Sequence, residues 1–205
     1  MELKEHWEDV YQKKAPHEVT WYQPDLRNSL ELIREAQLNS GKPIIDVGAG
    51  ASTLVDHLLN QAHTDVTAFD LSETALDAAK MRLGDRAEQV HWICDDITSY
   101  EFAKKYALWH DRAVFHFLVD EKDRELYLDN LKKTLMVKGY LVISTFAEDG
   151  PEKCSGLKIV RYSKDAMCEI LGFDFKLLKF IKETHISPTG LEQKFNYWLF
   201  LFEPE

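Results

Sequence analysis

The sequence predicts an α/β fold in which a mostly parallel, seven-stranded sheet carries helices on both faces. Three observations lead to this prediction. Short apolar segments alternate with helical segments between residues 43 and 146, which is the pattern of parallel strands joined by crossover helices. A glycine-rich turn at residues 48–50 leads from the first strand into a helix. Two long strand-like segments near the end of the sequence flank a Pro/Gly turn, which is typical of an antiparallel hairpin.

The alternating region predicts five strands, at 43–48, 65–70, 89–93, 106–111 and 140–146. Helices are expected between them at 52–62, 72–84 and 123–136. Ser72 is the expected N-cap of the second of these helices, because it is followed by the acidic residue Glu73. Lys138 and Gly139 are expected to end the third helix.

The segments before and after this region have different patterns. Apolar residues at helical spacing predict a short helix over 3–14, and a second helix is expected over 26–38, after a loop from Ala15 to Pro24. A helix at 164–171 precedes the predicted hairpin, whose strands are expected at 173–184 and 195–202 around a turn at 187–190. We therefore expect one domain over residues 1–205, with an N-terminal helical lid (1–40) on an α/β core (43–205).

The composition excludes several classes of protein. Apolar residues make up 45% and charged residues 29% of the sequence, which is ordinary for a globular protein. The net charge of −10 argues against nucleic acid as a partner, since such proteins need a basic face. No apolar run approaches the roughly 18 residues of a membrane span, and the first residues lack the apolar stretch of a signal peptide. We expect a cytoplasmic monomer or homodimer with no membrane partner.

The three cysteines, Cys94, Cys154 and Cys168, are far apart in the sequence and odd in number. This usage suits a reducing compartment and does not have the spacing of a zinc site. No metal site is expected.

The turn after the first strand has the pattern of a nucleotide-like cofactor site. Asp46 ends the strand, Gly48 and Gly50 follow it, and Asp70 ends the next strand. A dinucleotide site has a third glycine that lets the helix pack closely on the strand, but Thr53 stands at that position. The spacing therefore disfavours a nicotinamide dinucleotide and indicates a different cofactor.

The pattern D-x-G-x-G-x-S at residues 46–52 resembles motif I of the class I S-adenosylmethionine (SAM) dependent methyltransferases. The order of strands and the C-terminal hairpin resemble the same superfamily through most of the chain. This resemblance implies a Rossmann-like three-layer sandwich, SAM as cofactor and S-adenosylhomocysteine (SAH) as product.

The resemblance also implies which residues contact SAM. Asp70 would accept both ribose hydroxyls, and an acid after the third strand, best matched by Asp96, would take the adenine amino group. Asp46 would fix the glycine turn near the methionine part of the cofactor. The segment 19–23, which contains Trp21, resembles the lid that lies over the cofactor in small-molecule enzymes such as the thiopurine methyltransferase group. The full expected set is Trp21, Asp46, Gly48, Ala49, Gly50, Ser52, Asp70, Leu71, Asp95, Asp96, Ile97, Arg112 and Ala113.

The segment after the fourth strand is the expected catalytic region, because in this fold it ends at the topological switch point of the sheet. Asp111, Arg112 and His116 are the candidate catalytic residues. If the reaction needs a general base, His116 is the first candidate and His110 the second. An aromatic run surrounds His116, so a buried histidine of the core remains an equal interpretation.

The expected reaction is a metal-free, in-line methyl transfer to a small-molecule acceptor. The acceptor wall is expected from residues 146–151, 154–156 and 161–162, with Arg161 either holding an acceptor carboxylate or forming a surface ion pair. The main alternative is a protein lysine methyltransferase, with Tyr11, Tyr22 and Phe146 around the lysine. A SAM-binding regulator without catalysis and a nicotinamide dehydrogenase are two further hypotheses, and the dehydrogenase should bind NAD.

Overall fold

The computed structural model describes residues 3–23, 25–188 and 190–204. The helices are α1 (Leu3–Lys13), α2 (Arg27–Glu35), α3 (Leu54–Asn60), α4 (Glu73–Leu83), α5 (Glu121–Thr134) and α6 (Lys164–Leu171). The strands are β1 (Ile44–Val47), β2 (Val66–Asp70), β3 (Val90–Cys94), β4 (Tyr106–Arg112), β5 (Leu135–Phe146), β6 (Lys153–Cys154), β7 (Leu157–Lys158), β8 (Phe175–Ile186) and β9 (Glu192–Phe202). Short 3-10 turns lie at Pro16–Glu18, Gly84–Gln89 and Phe115–Phe117.

A seven-stranded sheet in the order β3-β2-β1-β4-β5-β9-β8 forms the centre of the described chain. The first five strands in this order pair in parallel, whereas β9 is antiparallel to both β5 and β8. The chain moves outward from β1 through β2 to β3 and then returns to place β4 on the other side of β1. This reversal opens a crevice at the carboxyl ends of β1 and β4, which is where open α/β sheets bind ligands.

Both faces of the sheet are buried, because helices cover each of them. One apolar cluster joins β1 and β2 to α2 and α3, and includes Leu32 and Leu58. A second cluster lies under α5 and α6, and includes Trp109, Tyr127 and Trp198. All four residues of β1 are buried, as expected for a central parallel strand.

The predicted fold class is confirmed: the chain is a mostly parallel α/β sandwich closed by an antiparallel hairpin. The Ser72 cap is confirmed as well, since its hydroxyl oxygen accepts the Ala75 N–H at 3.2 Å. Pro24 of the predicted loop and Thr189 of the predicted turn lie outside the described residues, as do positions 1, 2 and 205 of the expected domain. The two-residue strands β6 and β7 were not expected from the sequence.

The predicted end of α5 is wrong. The helix ends at Thr134, and Lys138 and Gly139 lie inside β5, which begins at Leu135 and pairs with β4 at Tyr106. The register with β4 shifts here, and Lys138 has φ 62°. A Cβ on Gly139 would lie 3.1 Å from the Ala107 carbonyl oxygen. The Lys-Gly pair therefore marks a bulge in a strand, where backbone approaches backbone, and not a helix stop.

None of the described helices is long and apolar enough to span a membrane.

Candidate active site

A cavity of about 140 Å³ lies at the carboxyl ends of β1, β2 and β4. The loops that follow these strands form its floor. Residues of α1 and of the segment between α1 and α2 form part of its wall, and Phe195 of β9 and Cys154 of β6 also line it. The reversal in strand order creates this cavity, and the N-terminal segment covers it.

The turn after β1 lines the cavity with small residues, among them Gly48, Ala49 and Ala51. Gly48 and Gly50 have φ of 69° and 50°, in the left-handed region that favours glycine. A Cβ on Gly48 would overlap the Val114 side chain, and a Cβ on Gly50 would lie 2.7 Å from the Tyr11 hydroxyl oxygen. Both glycines therefore let a neighbouring side chain, Val114 or Tyr11, pack directly against the turn.

Asp70 ties this turn to the end of β2. Its Oδ2 accepts the Gly50 N–H at 2.7 Å, and its Oδ1 accepts the Ser72 N–H at 2.8 Å. Burial raises the pKa of Asp70 to about 6, the nearby Asp46 carboxylate adds to the shift, and the two backbone donors oppose it. Each oxygen keeps a further lone pair, so the carboxylate can still accept hydroxyl donors from the cavity.

Two charged side chains that were not expected from the sequence hold parts of the cavity wall in place, Arg82 at the turn after β1 and Glu8 at α1. Arg82 of α4 donates to the Ala51 and Ser52 carbonyl oxygens at 2.7 and 2.6 Å and also pairs with Asp56. Glu8 of α1 accepts the Glu73 and Thr74 N–H groups at 2.7 and 3.2 Å, at the first turn of α4. Glu8 therefore holds α1 over the cavity by capping a neighbouring helix.

The acids after β3 stand at the rim of the cavity. Asp95 and Asp96 are exposed and line it, and Ile97 is buried beside them. Asp96 Oδ1 accepts the Thr98 N–H at 2.8 Å and the Thr98 hydroxyl at 2.7 Å, while Asp95 Oδ1 accepts the Asp96 N–H at 2.7 Å. These bonds hold the loop in a fixed turn.

Asp46 and His110 form a buried pair at the floor. His110 Nδ1 donates to Asp46 Oδ1 at 2.7 Å, and its Nε2 lies 2.9 Å from the Ser29 hydroxyl of α2. Both residues line the cavity, yet both ring nitrogens of His110 are engaged. Asp46 Oδ2 is buried and has no hydrogen-bond partner within the described residues. It is therefore an acceptor that a ligand in the cavity could use.

Arg112 reaches the cavity from the end of β4. Its Nη1 donates to the Trp21 carbonyl oxygen at 3.0 Å and its Nε to the Tyr197 hydroxyl at 3.2 Å. Its Cζ lies 5.4 Å from the centre of the Phe195 ring. Ala113, the next residue, also lines the cavity and has φ 71°, an unusual conformation for a residue with a side chain.

The structure corrects the expected placement of Asp111 and His116 at the cavity, because neither lines it. Asp111 points to the opposite face of β4, where its carboxylate accepts the Val114 and Phe115 N–H groups at 2.9 and 3.1 Å and the Tyr127 hydroxyl at 2.6 Å. Burial raises the pKa of Asp111 to about 6. Asp111 therefore fixes the conformation of the loop after β4 from the face of the sheet opposite the cavity.

His116 is a histidine of the core. Its ring stacks on Phe146 at 5.0 Å between centroids and is fully buried. Burial and the charge of Arg112 lower the pKa of His116 to about 3, so the ring is neutral at ordinary pH. The 3-10 turn at 115–117 directs this side chain into the aromatic core, and the ring cannot reach a ligand in the cavity without a rearrangement.

Most of the residues expected to form an acceptor wall do not line the cavity. Of residues 146–151, 154–156 and 161–162, Cys154 lines the cavity and the others do not. Arg161 is an exposed residue that pairs with Glu152 at 3.3 Å, so of its two interpretations the surface ion pair is the correct one. Phe146 and Tyr162 are buried in the core.

An aromatic cluster that the sequence only partly predicted forms the wall in their place. Trp7 of α1 packs edge-on against Trp21 and Phe117, at 5.5 and 5.0 Å between ring centroids. Tyr11 packs against the other side of Trp21 at 6.4 Å. These rings line the cavity together with Phe195 and would exclude water from a ligand bound there.

The fold and the site define a class of protein. A reversed α/β sheet, a glycine turn after β1 and an acid at the end of β2 form a nucleoside-cofactor site, and the β8–β9 hairpin gives the sheet its antiparallel edge. A family model described as a methyltransferase domain matches residues 44–139, from β1 into β5. The match covers just under half of the chain, and over it the predicted resemblance to the class I SAM-dependent methyltransferases, whose cofactor is SAM, is confirmed.

Individual proteins resemble the chain at low identity. A malonyl-[acyl-carrier protein] O-methyltransferase of Anoxybacillus flavithermus is 32% identical over 107 residues, 51% of this chain and 39% of that protein. An eEF1A lysine and N-terminal methyltransferase of Mus musculus is 25% identical over 100 residues, 48% of this chain and 14% of that protein. The chain spans about two fifths to a half of the first curated relatives it matches, 40%, 39% and 53% of their lengths.

A solved structure matches over nearly the whole chain. The N-methyltransferase NodS of Bradyrhizobium japonicum WM9, in complex with SAH, superposes with a TM-score of 0.75 at 18% identity, covering 98% of this chain and 100% of NodS. This likeness shows the shared fold.

Among the described residues, no group of three or more His, Cys, Asp and Glu side chains could hold a metal ion.

Proposed function

We propose that this protein transfers a methyl group from SAM to a small-molecule acceptor. One observation carries the proposal: the glycine turn and Asp70 line the same cavity as Arg112, Trp21 and Phe195. A cofactor site that opened directly to solvent would suit a binding protein. A cofactor site that shares its cavity with an arginine and a wall of aromatic rings suits an enzyme with an acceptor.

The residues at the cofactor end fit SAM. Gly48 and Ala49 of the turn line the cavity, Asp70 offers acceptors for a ribose diol, and the rim at Asp95–Ile97 offers an acid and an apolar surface for adenine. The unpartnered Asp46 Oδ2 offers an acceptor at the floor. When bound, SAM supplies a methyl group already activated by its sulfonium charge, so the proposed displacement requires no Lewis acid.

The chain's own contribution is to orient the acceptor and exclude water. The aromatic cluster of Trp7, Tyr11, Trp21 and Phe117 closes the cavity from the α1 side and desolvates the groups inside. Aromatic faces also stabilise a nearby cation, as a sulfonium is. We propose that residues 1–40 are the lid of a single domain, held down by the Glu8 contacts with α4.

Replacing Asp70 with Ala should weaken SAH binding by about 1–3 kcal/mol, the scale of lost hydrogen bonds to a charged group. Because the pKa of Asp70 is raised to about 6, its carboxylate loses its charge as the pH falls through that value. Wild-type affinity for SAH should therefore decline below about pH 6, and the Asp70→Asn variant should lack this decline. Calorimetric titration over a pH series measures both effects.

Asp85→Ala, at an exposed carboxylate beyond α4, is the matched control and should bind SAH as the wild type does. Unchanged affinity in Asp70→Ala would remove Asp70 from the cofactor site.

Transfer itself is tested with methyl-labelled SAM and a panel of small carboxylic acids, thiols and amines beside lysine-containing peptides. The proposal expects label in a small molecule. Label that enters only peptides would favour the lysine alternative, to which the cavity offers Tyr11 and Tyr22 but not Phe146. Arg112 at the acceptor end opposes that alternative, because its fixed positive charge repels a lysine ammonium. SAH binding without any methyl transfer would favour the hypothesis of a SAM-binding regulator that has no catalytic activity.

A further inference from the structure

The guanidinium of Arg112 has N–H groups that no acceptor in the described residues engages. It carries five N–H groups, of which Nε uses one on Tyr197 and Nη1 one on the Trp21 carbonyl. Nη2 is buried and has no hydrogen-bond partner within the described part of the chain. A buried donor of a charged group is costly to leave unpaired, so this nitrogen is suited to a ligand acceptor.

No carboxylate in the described residues pairs directly with Arg112. The nearest acid in its hydrogen-bond network is Glu183, which is one step removed: the Tyr197 hydroxyl donates to Glu183 Oε2 at 2.8 Å, and Gln23 donates to the same oxygen at 3.0 Å. Glu183 is thus already shared between two donors. The positive charge of Arg112 is balanced only through an intervening phenol, which leaves the cavity end electropositive.

The charges that line the cavity are separated by sign. Four acids, Asp46, Asp70, Asp95 and Asp96, line the part formed by β1, β2 and β3, and Arg112 is the one Lys or Arg side chain among the described lining residues. The acidic part suits a cationic cofactor. The part at Arg112 suits an anionic group on the acceptor.

The lining also lacks a free imidazole within the described residues. The imidazole of His110 is engaged at both nitrogens, by Asp46 and Ser29, and the His116 ring lies in the core. A nucleophile that must lose a proton would find no free imidazole to take it. A carboxylate is ionised near neutral pH and needs none.

We propose that the acceptor is a small carboxylic acid whose carboxylate is held by Arg112 and receives the methyl group. This inference rests on the proposed function. In the transfer, a carboxylate oxygen forms a bond to the methyl carbon while the bond between that carbon and sulfur breaks, and the bonding pair stays on sulfur. The anion and the sulfonium neutralise each other, no proton moves, and the products are a methyl ester and SAH.

The first test is a transfer assay with methyl-labelled SAM and short mono- and dicarboxylic acids, each beside its primary amide. The inference expects label in acids and not in the matched amides, released as volatile methanol by mild alkali, as a methyl ester requires. Label only in amines or thiols, or label that is stable to alkali, would overturn this inference and leave the proposed function standing. No label in any compound would contradict both.

The second test separates the acceptor from the cofactor, whose amino-acid part also carries a carboxylate. Arg112→Gln and Arg112→Lys should raise the KM for the acid about 10- to 100-fold, the effect of losing a charge-assisted bidentate contact, with Lys the milder change. Their affinity for SAH, measured by calorimetry, should stay within about twofold of the wild type. Arg161→Gln, at the surface arginine, is the matched control and should change neither quantity.

A loss of SAH affinity as large as the rise in KM would place Arg112 on the cofactor and overturn the inference. An unchanged KM for the acid in the Arg112 variants would also overturn the inference. The thermal unfolding temperature of each variant, compared with that of the wild type, shows whether the variant is folded. Retained SAH binding shows directly that the cavity is intact.

Discussion

Gly48→Val should abolish measurable SAH binding, a loss of at least about 100-fold in affinity. Two physical effects combine at this position. Its φ of 69° is strained for any side chain and more so for a β-branched one. An added Cβ would also overlap Val114, so either the turn after β1 or the loop after β4 must move. Both segments line the cavity, and neither can move without changing its shape.

Gly41→Val is the matched control for this variant. Gly41 lies in the turn before β1 and is exposed, and a Cβ added there would have no other atom within 4 Å. We expect this variant to bind SAH normally and to unfold within a few degrees of the wild type. Circular dichroism should show that Gly48→Val remains folded, and normal SAH affinity in that variant would contradict the assignment of the turn.

Asp111→Ala should destabilise the fold by about 3–5 kcal/mol, near the upper end for a single substitution. The change leaves three buried donors without their acceptor: the Val114 and Phe115 N–H groups and the Tyr127 hydroxyl. The Tyr127 oxygen also accepts the Trp109 indole N–H at 2.9 Å. Removing the carboxylate therefore removes the final acceptor of a buried hydrogen-bond chain from Trp109 through Tyr127 to Asp111. Urea unfolding gives the change in free energy.

The penalty of this substitution should depend on pH with a definite sign. Because burial raises the folded-state pKa of Asp111 to about 6, above its usual value, its contribution to stability is complete below the unfolded-state pKa and declines as the pH rises through about 6. The difference between wild type and Asp111→Ala should therefore be larger at pH 4 than at pH 7. Asp129→Ala, at an exposed acid of α5, should cost little at either pH. A penalty that grows with pH would contradict the buried environment assigned to Asp111.

The parts of the fold that were predictable from the sequence are those set by local patterns. Apolar runs between helical segments gave the parallel strands, and the serine-acid pair at Ser72 gave the start of α4. The Lys138–Gly139 pair predicts a helix end where the structure has a bulge, because a Lys-Gly pair has the same local pattern whether it ends a helix or bends a strand. Only the pairing of Leu135 with Tyr106 decides between them.

The cavity was predictable where its residues belong to one motif and unpredictable where distant elements meet. Phe195 reaches it because β9 inserts between β5 and β8, and Trp7 because Glu8 holds α1 against α4. One signal in the sequence could have shown which residues of β4 face the cavity. Side chains alternate across a strand, so His110 and Arg112 share the cavity face and Asp111 takes the other. His116 lies in a turn, where no such period applies.

The most direct test of this account is a calorimetric titration of the purified protein with SAM, SAH and NAD in parallel. We expect SAM and SAH to bind at one site per chain and NAD not to bind. Binding of NAD, or no binding of SAM and SAH to a protein shown to be folded, would contradict it. In that case the glycine turn would serve another ligand, and the roles proposed for Asp70 and Arg112 would lose their basis.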